Sequence, residues 1–340
     1  MTDRVLVTGG AGYIGSHVVR QLGEAGYDVV VFDNLSTGHE WAVTHGKLVV
    51  GDLADPEALE ALFAANEFAA VLHFAAHIIV PESVSDPLKY YRNNTRNTLN
   101  LLGAMSRHGV NRIVFSSTAA VYGMPDQQVL TEDLPLAPIN PYGASKMMSE
   151  RMIMDLASAS DLDYVILRYF NVAGCDSAGR IGQDTPEATH LVKVACQHAT
   201  GQKPHLNIFG TDYPTPDGTC IRDYIHVEDL AAAHLNALAY LREGSESLIA
   251  NCGYGHGYSV RELLETVQRV SGRRLDVREG ARRPGDMAMV VAANELIRHR
   301  LGWIPKRDDI ELIVRSALNW EKKAHAKMPA TGISVMDRLQ

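Results

Sequence analysis

The sequence predicts an α/β protein built on one parallel sheet, with a smaller α/β unit towards the C-terminus. The first half of the chain alternates short β-branched runs with longer segments of helical periodicity, which is the pattern of repeated βαβ units. A glycine-rich turn stands between the first of these strands and the first helix, at residues 9–15. Together, the alternation and the turn indicate a doubly wound sheet of the Rossmann type.

The strands of such a sheet are buried on both faces, so they are read as short, almost continuous apolar runs. The predicted strands are Arg4–Val7, Asp28–Phe32, Leu48–Val50, Ala70–Phe74, Arg112–Ser116 and Tyr164–Arg168. The predicted helices, from periodicity and from start signals such as the Asp55-Pro56 pair, are Tyr13–Ala25, a helix from Pro56, Pro87–Arg107, Pro141–Ser158, Glu187–Ala199, Val227–Arg242, Val260–Ser271 and Ile310–Lys322.

Composition excludes several classes of protein. The chain has 340 residues, 46% of them hydrophobic, which is enough for two unequal cores. Its net charge of -8 argues against a nucleic-acid surface, which would need a basic stripe. The N-terminus lacks the apolar core of a signal peptide and no apolar run is long enough to span a bilayer, so we expect a cytoplasmic protein. The cysteines at 175, 196, 220 and 252 form no Cys-x-x-Cys pair, which predicts packed thiols and no metal site.

The glycine-rich turn is typical of a dinucleotide site. Gly9, Gly12 and Gly15 follow a strand and open a helix, so backbone amides can meet a diphosphate with no Cβ in the way. Asp33 ends the second strand, where a carboxylate accepts hydrogen bonds from ribose hydroxyls and repels a 2′-phosphate. This position favours NAD over NADP. The alternative is that Asp33 only opens the turn that runs to Ser36.

The strand ends and the later chain suggest a division into units. Small or polar residues follow the third and fourth strands, at Asp52-Leu53 and Phe74-Ala75-Ala76, and leave space for the rest of a dinucleotide. We therefore predict an NAD-binding domain over residues 1–170. Residues 171–325 are predicted to form mainly a substrate-binding region, with some segments returning to the first domain. Residues 326–340 have little periodicity and are predicted to be a partly disordered tail.

A tyrosine and a lysine stand four residues apart in Tyr142-Gly143-Ala144-Ser145-Lys146, on one face of a predicted helix. The ammonium can therefore approach the phenol. A phenol becomes a base at neutral pH only if its pKa falls by about three units, roughly 4 kcal/mol, which Lys146 and a positive nicotinamide can supply. Thr118, at a strand end, can hold a substrate alcohol beside Tyr142. The alternative for this spacing is a solvated surface pair.

With these motifs the chain resembles the extended short-chain dehydrogenase/reductases, and among them the UDP-hexose 4-epimerases, over nearly its whole length. The most specific motif is FGTDYPTPDGTCIRDYIHV, residues 209–227. The resemblance implies interconversion of UDP-glucose and UDP-galactose through a transient 4-ketose with tightly bound NAD, and UDP-N-acetylhexosamines are further candidate substrates. It also implies a homodimer formed by the helices over 87–107 and 141–158, with apolar side chains available at Leu99, Leu102, Met148, Met152 and Ile153.

The resemblance also implies roles for individual residues. The catalytic residues are Tyr142 as the base, Lys146 and Thr118. The implied cofactor-binding residues are Gly9, Gly12, Tyr13, Ile14, Gly15, Asp33, Asn34, Ser36, Asp52, Leu53, Phe74, Ala75, Ala76, Asn93, Tyr142, Lys146 and Phe170. The implied substrate-binding residues are Thr118, Tyr142, Asn171, His190, Leu191, Phe209 at the uracil, Arg222 and Arg283 at the diphosphate, Asp286 at the uridine ribose and Val290 at the sugar.

Two residues depart from the family pattern, and several alternatives stay open. Ile78 stands where the family often has a lysine, and His190 replaces an asparagine. The substrate could be another UDP-sugar, a pentose or a uronic acid. A 4,6-dehydratase or a uronate decarboxylase would need an acidic residue after Thr118, where this chain has two alanines. A non-catalytic NAD-binding regulator would typically lack the tyrosine or the lysine.

Overall fold

Seven parallel strands form the central sheet of the computed structural model, which describes residues 4–185, 188–283 and 285–327. The sheet confirms the predicted fold class. The strands of the described chain are β1 (Arg4–Thr8), β2 (Asp28–Asp33), β3 (Lys47–Val50), β4 (Ala70–His73), β5 (Arg112–Thr118), β6 (Val129–Leu130), β7 (Asp163–Tyr169), β8 (Asn171–Ala173), β9 (Leu206–Phe209), β10 (Ile221–Arg222), β11 (Tyr224–His226), β12 (Leu248–Cys252), β13 (Tyr258–Ser259), β14 (Val277–Gly280) and β15 (Met289–Ala292).

The strand order creates a binding crevice. It is β12-β7-β5-β4-β1-β2-β3, and β1 pairs in parallel with both β2 and β4. The chain continues from β1 to β2 on one side, whereas it later enters β4 on the other side of β1. The loops after β1 and β4 therefore separate and leave a crevice at the carboxyl edge. The edge strand β12 comes from the second half of the chain and pairs with β7. The strand pattern did not predict β12, because its five residues stand alone among glycine-rich connections.

Helices cover both faces of the sheet. The helices of the described chain are α1 (Tyr13–Glu24), α2 (Pro56–Ala64), α3 (Val80–Ser85), α4 (Pro87–Tyr90), α5 (Asn97–Arg107), α6 (Pro141–Ala159), α7 (Leu191–Ala199), α8 (Val227–Arg242), α9 (Val260–Ser271), α10 (Glu295–Leu301) and α11 (Ile310–Lys327). Along β1, Val5 and Val7 join the core shared with α1 and α8, whereas Leu6 joins the core shared with α2, α5 and α6. Burial on both faces explains why these strands are continuous apolar runs.

Two predicted helices differ from the observed ones. The predicted helix over 87–107 contains a π-helical segment, Tyr91–Arg96, between α4 and α5. The predicted helix over 187–199 begins at Leu191, because His190 has extended backbone angles, and residues 186 and 187 lie outside the described chain. The start of α2 is as predicted, since the Asp55 carboxylate accepts hydrogen bonds from the amides of Glu57 and Ala58.

The smaller unit carries most of the predicted substrate region. Its four-stranded sheet has the order β13-β10-β15-β6, and two further pairs, β11-β8 and β14-β9, lie beside it. The predicted tail lies outside the described residues from position 328 onwards. Among the described helices, none is long and apolar enough to cross a membrane.

Two side chains expected at a dimer surface lie in the core instead. Leu102 and Ile153 are 3% and 0% exposed and pack between α5, α6 and the sheet. The prediction that they are available to a second subunit is wrong, because these helices use those positions to cover the strands. Leu99 and Met148, at 56% and 40% exposure, remain on the surface.

We expect Ile153→Ala to lower the free energy of unfolding by about 2–5 kcal/mol, because it leaves a cavity between α6 and the sheet. The matched control is Ile304→Ala, since Ile304 is 75% exposed and its loss should change stability by less than about 0.5 kcal/mol. Chemical denaturation at one fixed NAD concentration measures both. Equal stability of the two variants would contradict the position of Ile153 in the core.

Candidate active site

The glycine-rich turn lies at the carboxyl end of β1 and packs its backbone tightly. The Gly9 amide donates to the Phe32 carbonyl at 2.9 Å, and Gly9 has a φ of +73°. A Cβ on Gly15 would lie 2.2 Å from the Gly9 carbonyl oxygen, and a Cβ on Gly9 would lie 2.5 Å from the Ala75 nitrogen. The turn therefore brings the start of α1 against the loop after β4 with no side chain between them. This bare backbone fits the diphosphate of a dinucleotide.

Asp33 ends β2 beside this turn. Its carboxylate accepts hydrogen bonds from the Ala11 amide and the Leu35 amide, both at 2.9 Å. It therefore ties the glycine turn to the loop after β2, and it also opens the turn that the sequence left as an alternative. The carboxylate is 8% exposed and lines the crevice, where it is placed to meet ribose hydroxyls.

A cavity of about 490 Å³ follows the crevice. It brings together most of the residues predicted to bind the cofactor: Gly9, Gly12, Tyr13, Ile14, Gly15, Asp33, Asn34, Ser36, Asp52, Leu53, Phe74, Ala75, Ala76 and Asn93. Tyr169 also lines it, whereas its neighbour Phe170 is buried in an apolar cluster with Val121 and Tyr122. The sequence did not identify several further lining residues: Thr37, Gly38, Gly51, His77, Ile79, Glu82, Lys89 and Asn97. Most of them lie in loops after strands, which is the signal that could have found them.

The Tyr142 phenol lies in the first turn of α6 against the end of β5. It is 7% exposed, and the Thr118 hydroxyl lies near enough to act on it electrostatically. Burial raises the pKa of Tyr142 well above its usual value, and Thr118 only partly opposes this. In the protein without a dinucleotide, desolvation dominates, and the lowering expected from Lys146 and a positive nicotinamide together stays a prediction. A base at this position needs positive charge from the bound cofactor.

Lys146 lies one turn further along α6 and is 3% exposed. Its ammonium donates to the Ser116 carbonyl at 2.8 Å and lies 4.8 Å from the centre of the Phe115 ring. Burial lowers the pKa of Lys146 to about 7, although the nearby Glu150 carboxylate acts in the opposite direction. The ammonium is thus directed at the end of β5, and its pKa lies close to neutral pH.

A buried ion pair holds α6 against the sheet. Arg168 of β7 binds both carboxylate oxygens of Glu150, with the shortest contact at 2.7 Å, and Ser117 also donates to Glu150. Glu150 is 0% exposed and Arg168 is 3% exposed. Removing one partner of such a pair would leave an uncompensated buried charge. The pair therefore fixes the helix that carries Tyr142 and Lys146.

Asn94, in the π-helical segment, is a site residue that the sequence did not indicate. Its side-chain oxygen accepts from the His77 amide at 2.8 Å, and its side-chain nitrogen lies 3.0 Å from both the His77 carbonyl and the Ser145 hydroxyl. Asn94 is 2% exposed. It joins the loop after β4, which lines the cavity, to the helix that carries Tyr142. The π-helical segment allows this inward direction, and such segments are frequent at functional sites.

The smaller unit gathers the predicted substrate residues. Arg222 of β10 pairs in register with Val290 of β15, and its guanidinium lies 3.4 Å from the Asp286 carboxylate. Asn171 begins β8, and its amide donates to the carbonyl of Asp223 at 3.0 Å. Buried Asp223 accepts hydrogen bonds from three backbone amides, those of Tyr254 and Gly255 after β12 and that of Ala292 at the end of β15, and desolvation raises its pKa to about 6. It therefore organises this unit from the inside.

The other predicted substrate residues form two neighbouring pairs, Phe209 with Arg283 and His190 with Leu191. The Arg283 guanidinium lies 3.8 Å from the centre of the Phe209 ring, at the end of β9. This contact can present one flat face and one positive charge to a nucleotide. His190 and Leu191 start α7, where the His190 ring lies 2.9 Å from the Gln183 amide. Burial and the Lys193 ammonium lower the pKa of His190, so its ring is neutral at pH 7.

The four cysteines are packed as isolated thiols. Cys175, Cys196, Cys220 and Cys252 are free and buried. Within residues 4–185, 188–283 and 285–327, no group of three or more His, Cys, Asp or Glu side chains is arranged to hold a metal ion.

Comparison with known proteins agrees with this geometry. Residues 5–253 match the model of the NAD dependent epimerase/dehydratase family. The chain is 56% identical, over 97% of its length and 95% of the relative's, to the UDP-glucose 4-epimerase of Azospirillum brasilense. The UDP-glucose 4-epimerase of Brucella ovis in complex with NAD superimposes with a TM-score of 0.92 at 44% identity, covering 94% of this chain and 99% of that one.

A second similar structure belongs to an enzyme that is named for two types of sugar. The UDP-Glc/GlcNAc 4-epimerase of Campylobacter jejuni superimposes with a TM-score of 0.85 at 48% identity, covering 94% of this chain and 99% of that one. The sequence match, the superposed folds and the arrangement of the glycine turn, Tyr142 and Lys146 agree: the chain belongs to the NAD dependent epimerase/dehydratase family.

Proposed function

We propose that the protein is an NAD-dependent isomerase that interconverts UDP-glucose and UDP-galactose by way of a transient 4-keto sugar. The observation that carries this function is the buried Tyr142 phenol, which lies near Tyr169, a residue of the crevice that has the glycine turn and Asp33 on its walls. The high identity to UDP-glucose 4-epimerases over nearly the full chain supports the same reaction.

The side chains divide the chemistry between them. When bound, NAD would supply the reversible hydride acceptor for C4 of the sugar, with the glycine turn and Asp33 holding it. Tyr142 removes the proton of the 4-hydroxyl and afterwards gives it back, while Thr118 holds the same oxygen. Lys146 adds positive charge at the end of β5, which lowers the cost of ionising the buried phenol. Because the oxidant is regenerated in every cycle, the protein has no need to release its cofactor.

The nucleotide has to stay fixed while the sugar rotates in the site. We assign Arg222 and Arg283 to the diphosphate, Phe209 to the uracil and Asp286 to the uridine ribose. The support is that the Arg222 guanidinium lies 3.4 Å from the Asp286 carboxylate and that Phe209 and Arg283 are in direct contact. Guanidinium groups suit this task because they bind phosphate oxygens with two parallel hydrogen bonds. Asn171, His190 and Leu191 would contact the sugar end.

The remaining assignments follow the same reasoning. We propose a cofactor domain over residues 1–170, a mainly substrate-binding region over 171–325 and a cytoplasmic location, which the four free cysteines favour. A non-catalytic regulator is disfavoured because Tyr142 and Lys146 are both present and buried at the site. The other UDP-sugars, pentoses and uronic acids, share the C4 chemistry, so the sugar pocket has to decide among them.

We expect Tyr142→Phe to keep the fold and the bound NAD but to lower kcat by at least about 10²-fold, the usual effect of removing a positioned general base. Turnover of UDP-galactose in a coupled assay measures it. Tyr27→Phe is the matched control, because the Tyr27 hydroxyl accepts a hydrogen bond from Arg242 outside the cavity lining and its loss should keep full activity. Near wild-type turnover in the Tyr142 variant would remove Tyr142 from the role of base.

We also expect the wild-type protein to epimerise UDP-N-acetylglucosamine as well as UDP-glucose. Val290 lies beside Arg222 and packs on the cluster around Phe170, and a valine leaves more room at the sugar than a tyrosine would. Val290→Tyr should reduce use of the N-acetylated sugar and largely keep turnover of UDP-galactose. Val290→Ile is the control for added volume alone. A wild type active on UDP-galactose but inactive on the N-acetylated sugar would refute this gate.

We propose a homodimer formed through α4, α5 and α6. The support is a set of exposed apolar side chains on these helices, Leu88, Leu99 and Met148, which water would otherwise contact. Light scattering at micromolar concentration should give twice the chain mass. Leu99→Asp should shift the protein towards monomers, whereas Ile304→Asp, at a more exposed site outside these helices, should not. A monomeric wild type would rule the dimer out.

A further inference from the structure

A charge pair in the wall of the cofactor cavity has no part in the mechanism above. Lys89 of α4 and Glu82 of α3 both line the cavity, and their charged groups lie 2.5 Å apart. Their side chains are 38% and 34% exposed. The Tyr90 hydroxyl lies 2.8 Å from the second oxygen of Glu82 and 2.6 Å from the Ile79 carbonyl. The pair is therefore anchored on the protein side and faces the cavity on the other.

The charge balance of the cavity makes Lys89 unusual. Asp33, Asp52 and Glu82 bring three carboxylates to the lining, and Lys89 is the one lysine or arginine among the described residues there. The first two carboxylates are already engaged, since Asp33 accepts two backbone amides and Asp52 accepts the Ala54 amide and the Asn34 side chain, each at 2.8 Å. A dinucleotide diphosphate adds two further negative charges. The helix N-terminus at the glycine turn offsets only about half a charge.

Lys89 also lies beside the segment after β4, which contacts the glycine turn. Its charge reaches His77, whose pKa is lowered first by burial and then by the Lys89 ammonium. His77 and Ile78 line the same cavity, and the segment begins at Ala75, which touches Gly9. Ile78 contributes no charge to this wall. A lysine stem is flexible and ends in a compact point charge with three donors, so it can move between two anionic partners.

We propose that Lys89 binds a phosphate oxygen of the NAD diphosphate and that Glu82 competes with the phosphate for the same ammonium. This inference rests on the proposed function, because it takes NAD as the resident dinucleotide. It makes Lys89 a cofactor-retaining residue of this chain. It also gives Glu82 a defined effect, which is to weaken the hold on the cofactor.

The two partners should therefore have opposite effects on cofactor release. In purified holoenzyme, bound NAD is exchanged against an excess of isotope-labelled NAD and the bound fraction is followed by mass spectrometry. Lys89→Met should accelerate release about tenfold, the effect of losing one charge-assisted contact of about 1.4 kcal/mol. Glu82→Gln should slow release by about threefold, because the ammonium loses its competing partner. Lys47→Met, at an exposed lysine outside the cavity, is the control and should release NAD at the wild-type rate.

The outcomes separate the possible explanations. If the pair only braces α3 against α4, both substitutions will accelerate release, and the proposal is overturned. Unchanged release in both variants overturns it as well. Lys89→Arg keeps the charge and should retain slow release, which protects the result against a folding defect in Lys89→Met. Holoenzyme that contains neither NAD nor NADP and takes up neither would instead contradict the proposed function itself.

Discussion

Helix α6, which carries Tyr142 and Lys146, is held to the sheet by buried charges, and the arrangement of the candidate site depends on that attachment. Glu150 and Arg168 form a two-pronged ion pair beneath α6, and the Lys146 ammonium donates to the Ser116 carbonyl at the end of β5. These contacts fix the rotation of α6, so Tyr142 meets Thr118 and not the solvent. A buried ion pair gives little net stability, because desolvation cancels much of its attraction. Its value here is one defined orientation of the helix.

That orientation has an electrostatic cost. Tyr142 and Lys146 are both almost fully buried, and burial disfavours the charged form of each. It raises the pKa of the phenol and lowers the pKa of the ammonium. The phenol alone is therefore not prepared for proton transfer at neutral pH, and positive charge beside it would favour its ionised form.

Sequence reasoning predicted the features that depend on local pattern. The glycine turn, the first six strands of the sheet, the cap at Asp55 and the pairing of Tyr142 with Lys146 on one helix all follow from spacing and residue type. Features that depend on tertiary packing were missed. Periodicity alone could not show that Ile153 faces the sheet while Met148 faces water. It could not show that β12 returns to the sheet edge, nor that Lys89 reaches the cofactor cavity from a helix eleven positions beyond Ile78. The sign of the Tyr142 pKa shift also depends on burial, which no motif contains.

The π-helical segment Tyr91–Arg96 makes the alignment of the site a matter of residue count. A wider turn accommodates one residue more than an α-helical turn would, and Asn94 uses that extra room to reach the His77 backbone and Ser145 together. Loss of a single residue from this segment would restore a regular helix and remove the extra room that Asn94 uses. The segment should therefore accept exchanges of side chains more readily than changes of length. We therefore expect evolution to keep the length of this segment even where the residue types in it change.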